Sequence, residues 1–255
     1  MTIEIIQFPC LEDNYGYLIH DSEENLTVTV DSPDPVVIQQ ILQDKGWSLT
    51  HILNTHHHWD HAGGNLELKS LSGCTIIGSA KDAHRIPGID IQVGEGDQFM
   101  FGNQPVLVQE TPGHTLGHIV YRFPVENVSF VGDTLFSLGC GRLFEGTPNQ
   151  MWNSLQKIKH WPDETLIYCA HEYTQENARF ALTIDPENQD LQLRCKEVDQ
   201  LRSQGRATVP TTLGLEKKTN PFLRPHSLAI RKMLDMMDAS DEEVFAQIRR
   251  LKDNF

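Results

Sequence analysis

Four times along the chain an apolar, partly β-branched run empties into a polar side chain that can bind a metal. Leu49-Thr50-His51-Ile52-Leu53-Asn54-Thr55 leads into His56, and Val106-Leu107-Val108-Gln109-Glu110 precedes Thr111-Pro112-Gly113-His114. Val128-Ser129-Phe130-Val131 precedes Gly132-Asp133, and Leu166-Ile167-Tyr168-Cys169-Ala170 precedes His171. Short runs of this kind bounded by turn residues predict strands. Groups at strand ends have rigid support below and open space above. Through about Tyr173 the pattern is many short strands with a few helices between them, of which two have clear boundaries. One is predicted over Pro35–Lys45, closing at Gly46, and the other over Asn149–His160, closing at Pro162. After Thr174 the strand pattern stops, and helices are predicted over Gln175–Leu182, Gln189–Ser203, Leu228–Met237 and Asp241–Lys252. That shift divides the chain into a strand-rich part, 1–173, expected to be catalytic, and a helical part, 174–255.

The last helix carries its own start signal, Ser240 with Glu243 three residues on, a capping box. Val244, Phe245, Ile248 and Leu251 then form an apolar stripe, with Arg249 and Lys252 on a neighbouring face. Taken alone, those two cations complement the helix dipole.

The candidate chemistry lies in the run Thr55-His56-His57-His58-Trp59-Asp60-His61. His56 and His58 share one side of an extended turn, and Asp60 and His61 begin the next. Ala62-Gly63-Gly64-Asn65 then lets the backbone fold back tightly. Together with His114, Asp133 and His171 these make seven ligands, more than one tetrahedral ion needs, so two ions are expected, with a carboxylate such as Asp133 able to bridge them. Imidazole and carboxylate without thiolate suit zinc first, and also iron or manganese. His57 is expected to make a structural hydrogen bond rather than to ligate. His20, His84, His160 and His226 are expected to be surface or satisfied polar residues.

These residues resemble the metallo-β-lactamase superfamily, whose signature is His-x-His-x-Asp-His followed by a distant His, Asp and His. The likeness narrows to the hydroxyacylglutathione hydrolase (glyoxalase II) family through Gly139-Cys140-Gly141-Arg142-Leu143-Phe144-Glu145-Gly146-Thr147, His171-Glu172-Tyr173-Thr174, Asn220-Pro221-Phe222-Leu223-Arg224 and the terminal Arg249–Phe255. The resemblance implies an α+β fold, an αββα sandwich followed by a C-terminal α-helical domain. It implies a first metal on His56, His58 and His114, a second on Asp60, His61 and His171, and Asp133 bridging both, with Asp60 and Asp133 as the catalytic carboxylates. It also implies a glutathione thioester as the small-molecule partner, held by Arg142, Phe144, Tyr173, Arg249 and Lys252. One common form of the pattern has Lys where Arg142 stands and Tyr where Phe144 stands. Arginine keeps the charge, whereas Phe144 gives up a hydroxyl. The competing reading within the superfamily is a mononuclear-iron persulfide dioxygenase, which expects one iron and oxygen consumption.

Composition narrows the choice further. The 255-residue chain has 39% hydrophobic residues and a formal net charge of −14. That is enough for a real core, and the charge disfavours nucleic acid and anionic membrane as partners. Five cysteines without C-x-x-C spacing fit a reduced, cytoplasmic setting, and the start of the chain shows neither a basic region nor a long apolar stretch. A monomer is expected. Cys140, between two glycines, is assigned to small-residue packing rather than to nucleophilic chemistry.

Overall fold

The computed structural model describes residues 3–255; Met1 and Thr2, with which the expected catalytic part begins, lie outside them. The chain folds into two compact units, one running to Glu110 with Leu116–Gly132, the other made of Thr111–Thr115 and Asp133–Phe255.

The first unit contains β1 (Ile3–Cys10), β2 (Asn14–Asp21), β3 (Leu26–Val30), α1 (Pro35–Lys45), β4 (His51–Leu53), α2 (Trp59–Ala62), α3 (Asn65–Ser72), β5 (Thr75–Ser79), β6 (Ile91–Val93), β7 (Gln98–Phe101), β8 (Gln104–Glu110), β9 (Ile119–Phe123) and β10 (Val128–Gly132). β1 to β6 form one sheet in sequence order, antiparallel from β1 to β3 and parallel from β3 to β6. The switch to parallel pairing falls where α1 supplies the first crossover. Asp34 caps α1 by accepting from Val36 and Val37, Pro35 opens it, and Gly46 closes it in the left-handed region, as the sequence predicts. Ile38 and Leu42 of α1 and Leu68 of α3 pack with Leu18, Ile52 and Ile76 of the sheet. β7 to β10 form an antiparallel meander. It lies against the opposite face of the sheet: Tyr17 meets Phe130 at 5.3 Å, and the Tyr121 hydroxyl donates to the carbonyls of Asn54 (2.9 Å) and Ile77 (3.2 Å). Helix, sheet and sheet are thus three layers, and the middle sheet is covered on both faces: β2 is buried at every position and β3 at all but its first.

β4 is shorter than the predicted 49–55 run. At Thr55 the backbone amide leaves the ladder and donates to the Asp31 carboxylate (2.7 Å), which turns the chain upward into His56.

The second unit contains β11 (Leu135–Phe136), β12 (Gly139–Cys140), α4 (Pro148–Lys159), β13 (Leu166–Cys169), α5 (Thr174–Ile184), α6 (Gln189–Ser203), β14 (Thr211–Thr212), α7 (Leu213–Thr219), α8 (Leu228–Met233) and α9 (Asp241–Asp253). The capping boxes Thr147–Gln150 and Ser240–Glu243 start α4 and α9. Two elements depart from the sequence expectation. The strand pattern does not stop at Thr174, because β14 pairs with β13 through Ile167 and Thr211. And α8 ends at Met233 rather than Met237: Asp235 takes a left-handed conformation (φ 56°), and the Arg231 side chain donates to the carbonyls of Met237 and Ala239. An aromatic core joins the helices, with Phe222 near both Phe180 (6.0 Å) and Phe245 (6.1 Å), and Trp152 against Phe245 (5.7 Å).

Candidate metal centre and substrate cavity

In the first unit the ligand run folds as the single helical turn α2, with His58 at its N-terminal cap position. Ser32, Asn54 and Asn65 brace this turn: Ser32 donates to Asn65 (2.7 Å), Asn65 to Asn54 (2.7 Å), and Asn54 to the His61 carbonyl (3.0 Å). Gly63 and Gly64 keep ordinary right-handed backbone, so the expected tight fold rests on close approach rather than on unusual dihedrals. Gly64 N donates to the Ser32 carbonyl (3.0 Å), and a side chain at Gly64 would strike that same oxygen.

Fully buried His56 faces Thr55 Oγ1 through Nδ1 (3.1 Å) and brings Nε2 to 3.0 Å from His58 Nδ1. His61 donates from Nδ1 to Asp31 Oδ2 (2.8 Å), which leaves the Nε2 lone pair pointing away, 3.3 Å from Asp60 Oδ2. Asn14 donates to Asp60 Oδ2 (3.0 Å) and fixes that carboxylate. His57 turns the other way and pairs with Asp82 Oδ2 (3.0 Å), the structural contact expected of it. His118 is buried and stacks on His56 at 4.9 Å. His20 contacts Thr27 Oγ1 (2.9 Å) and stacks on Trp47, a satisfied buried residue.

In the second unit the segment after β12 wraps around His114. His114 Nδ1 donates to the Arg142 carbonyl (2.8 Å), while the amides of Phe144 and Glu145 donate back to the His114 carbonyl (3.2 and 3.3 Å). Only one tautomer satisfies that contact, and it presents Nε2 to Asp133 Oδ2 at 3.4 Å. His171, at the end of β13, presents its own Nε2 to the same oxygen at 3.4 Å. Tyr173 lies flat on the His171 ring at 4.7 Å.

These spacings test whether a metal fits. Two donors on one tetrahedral zinc, each at about 2.0 to 2.1 Å, stand about 3.3 Å apart. The close pairs within each unit, at 3.0, 3.3, 3.4 and 3.4 Å, match that spacing, and their donors are imidazole nitrogen and carboxylate oxygen throughout. The set suits divalent ions, with no thiolate in it.

The second unit also holds a cavity of about 430 Å³ whose lining includes His114, Asp133, Arg142, Phe144, Tyr173, Arg249 and Lys252. The β11–β12 hairpin shapes it. Asn220 donates to the carbonyls on either side of the hairpin's turn, Phe136 (3.1 Å) and Gly139 (2.9 Å), and the buried Glu216 carboxylate accepts from Leu138 N (2.8 Å), Ser137 and Thr211. Gly141 follows, packed so closely on the Asp133 carbonyl that any side chain there would collide with it. Arg249 is 5% exposed, rather than lying on an open helix face; it donates to the Cys140 carbonyl (2.8 Å) and sits over the Phe222 ring. Burial pushes the Cys140 thiol up to about 11, although Arg249 opposes the shift, which agrees with a packing role.

Sequence reasoning missed Asp31, Asn14, Asp82, Glu216 and the cavity carboxylates Glu176 and Asp253. Asp31 was within reach of it: Leu26–Val30 is a further apolar run emptying into a carboxylate, followed by Ser32-Pro33. Asn14 and Asp82 carry no local signal, because their partners are 46 and 25 residues away in sequence.

The layered sheets and the His/Asp donor sets define a member of the metallo-β-lactamase superfamily, and the family model of that description matches residues 32–171. A second model, described as the hydroxyacylglutathione hydrolase C-terminus, matches residues 172–255. The chain is 56% identical to the hydroxyacylglutathione hydrolase of Maricaulis maris, covering 98% of both chains, and 51% identical to that of Ruegeria pomeroyi over the whole of both. It belongs to the hydroxyacylglutathione hydrolase family. Among solved structures it is similar to ETHE1 from Myxococcus xanthus (TM-score 0.70, 27% identity, covering 98% of this chain and 90% of that one). It shares the fold of the BLEG-1 B3 metallo-β-lactamase (TM-score 0.67, 22% identity, 87% and 100% covered). Among the described residues no helix is long and apolar enough to cross a membrane.

Proposed function

We propose that the protein hydrolyses S-2-hydroxyacylglutathione thioesters, S-D-lactoylglutathione first among them, to the 2-hydroxy acid and glutathione. The observation that carries this reading is the cavity in which two of the proposed ligands, His114 and Asp133, share one wall system with the cations Arg142, Arg249 and Lys252. A thioester placed there has its reactive carbonyl near ligand groups and its two tripeptide carboxylates near positive charge. The names of relatives 51% and 56% identical over nearly the whole chain support the same activity.

His56, His58 and His114 would hold one divalent ion, and Asp60, His61 and His171 the other. Asp133 would be shared, a role suggested by one oxygen standing equally far from His114 and His171. Zinc is the ion we favour, with iron or manganese able to use the same donors. When bound, such ions lower the pKa of water and polarise a carbonyl. The residues supply the rest. Asp60, fixed by Asn14, orients the attacking water, and Asp31 and the Arg142 carbonyl hold His61 and His114 in the tautomers that present Nε2. Arg142, Phe144, Tyr173, Arg249 and Lys252 hold the tripeptide. Water adds to the carbonyl carbon and the C–S bond breaks. The departing thiol, with a pKa near 8.5, leaves as thiolate at neutral pH without a dedicated acid. We assign catalysis to residues 1–173, which also supply Arg142, Phe144 and Tyr173 to the substrate, and the remaining substrate contacts, Arg249 and Lys252, to the helical part 174–255; we propose a cytoplasmic monomer, and five free, buried thiols support that compartment.

The test is release of free thiol from S-D-lactoylglutathione by metal-replete protein under anaerobic conditions. Release that chelation abolishes and metal restores is the expected result. No anaerobic release, with oxygen uptake on glutathione persulfide instead, would replace the hydrolase by the dioxygenase reading.

A further inference from the structure

The cavity cations are not bare. Arg249 directs Nε (3.1 Å) and Nη2 (2.9 Å) to Asp253 Oδ1, and Arg142 Nε stands 3.6 Å from the same oxygen. Lys252 pairs in the same way with Glu176 (3.3 Å). In both close pairs the cation is the fixed partner. Arg249 and Lys252 have side chains 6% and 12% exposed, against 35% for Asp253 and 60% for Glu176. Aromatic rings hold the cations too, Phe222 beneath Arg249 at 5.0 Å and Phe180 and Phe255 around Lys252. Asp253, by contrast, is the last residue of α9, where the helix dipole disfavours a carboxylate.

A planar guanidinium grips a carboxylate with one edge, and the Nε/Nη2 edge of Arg249 is already taken. Its Nη1 is committed to the Cys140 carbonyl. An incoming carboxylate therefore cannot take that edge without displacing the one in place.

We infer that Asp253 is a resident counter-carboxylate: it occupies the carboxylate position of the cavity in the free protein and must swing out before the tripeptide of substrate or product can bind. This rests on the hydrolase reading, in which a tripeptide enters the cavity. Its consequence is for product release. Substrate and glutathione share the tripeptide, so contacts made uniformly to it strengthen product inhibition as much as substrate binding. A competing internal carboxylate weakens both equally and keeps glutathione from holding the site. Asp253 thus tunes affinity for the shared tripeptide without touching the reacting atoms.

The experiment is calorimetric titration of metal-loaded wild type and Asp253→Asn with S-methylglutathione, a thioether that has no thioester bond to hydrolyse. Loss of one partly exposed competing pair, worth up to about 1 kcal/mol, should lower Kd in the variant about fivefold, and the glutathione inhibition constant with it. Asp253→Ser, which retains no carboxamide to mimic the pairing, should show the same fall and guards against a folding defect peculiar to asparagine. An equal or larger Kd in both variants, with wild type binding normally, overturns the inference and makes Asp253 a support for Arg249. Absence of binding to wild type would overturn it together with the hydrolase reading.

Discussion

Replacing Asp31 by asparagine should strip metal from the Asp60–His61 side of the centre while leaving the fold in place. Asp31 sits in the left-handed region (φ 60°), a conformation asparagine tolerates as well as aspartate does, so the backbone is not the target. The side chain is. Its Oδ1 accepts from Thr55 N (2.7 Å), and Oδ2 accepts from both Thr55 Oγ1 and His61 Nδ1 (2.8 Å each). An asparagine has one acceptor oxygen for these two positions. If the oxygen stays on the Thr55 amide, its NH2 faces His61 Nδ1, which must become an acceptor. The ring proton then moves to Nε2, the atom that should carry the lone pair for the metal. If the amide is flipped, two N–H groups oppose each other at 2.7 Å, an uncompensated buried donor pair costing about 1 to 3 kcal/mol. Outer hydrogen-bond partners of metal-bound histidines typically contribute 10- to 100-fold in affinity, about 1.4 to 2.7 kcal/mol. Competition against a chromophoric chelator should therefore show one of two binding constants weakened by about that factor, with the other near wild type. Two unchanged constants, in a variant that melts as wild type does, would refute the tautomer argument.

Three further results are expected. Burial lowers the Lys252 pKa, and the Glu176 partner only partly restores it, so its positive charge is lost as pH rises before an ordinary lysine would lose its own; KM should climb in the alkaline range below about pH 10, and Lys252→Arg, which does not titrate there, should flatten the climb. Burial raises the Glu216 pKa, so the unfolded chain ionises first and the stability of wild type relative to Glu216→Gln should fall as pH rises from about 4.3 through the folded value, measurable as a shrinking difference in Tm. Gly141→Ala places a methyl group on the Asp133 carbonyl, backbone that cannot yield; an overpacking cost of about 1 to 3 kcal/mol should appear as a lower Tm and depleted metal, and a metal-replete variant of normal Tm would contradict the packing described.

The candidate ligands stood out in the sequence because metal chemistry restricts which side chains can serve, and because His56, His114, Asp133 and His171 each follow an apolar run of strand length. Helices were legible where caps are local: Gly46 behind α1 and Ser240–Glu243 before α9 set the ends within a residue or two. α6 ran from Gln189 to Ser203 as predicted. What sequence concealed depends on distant partners. β14 is two residues long and exists because β13 is beside it, and α8 stops where Arg231 reaches forward to carbonyls six and eight residues on. The burial of Arg249 follows from Cys140, 109 residues earlier, which no helical periodicity within α9 can announce.

The proposed chemistry is metal-dependent thioester hydrolysis with Asp133 shared between two ions. It is tested most directly by adding zinc stepwise to metal-free protein and following thiol release from S-D-lactoylglutathione at each addition. Activity should grow up to two equivalents per chain, and an Asp133→Asn variant should retain neither full metal nor full rate. Full activity at one equivalent, or no thioester hydrolysis at two, would contradict that chemistry.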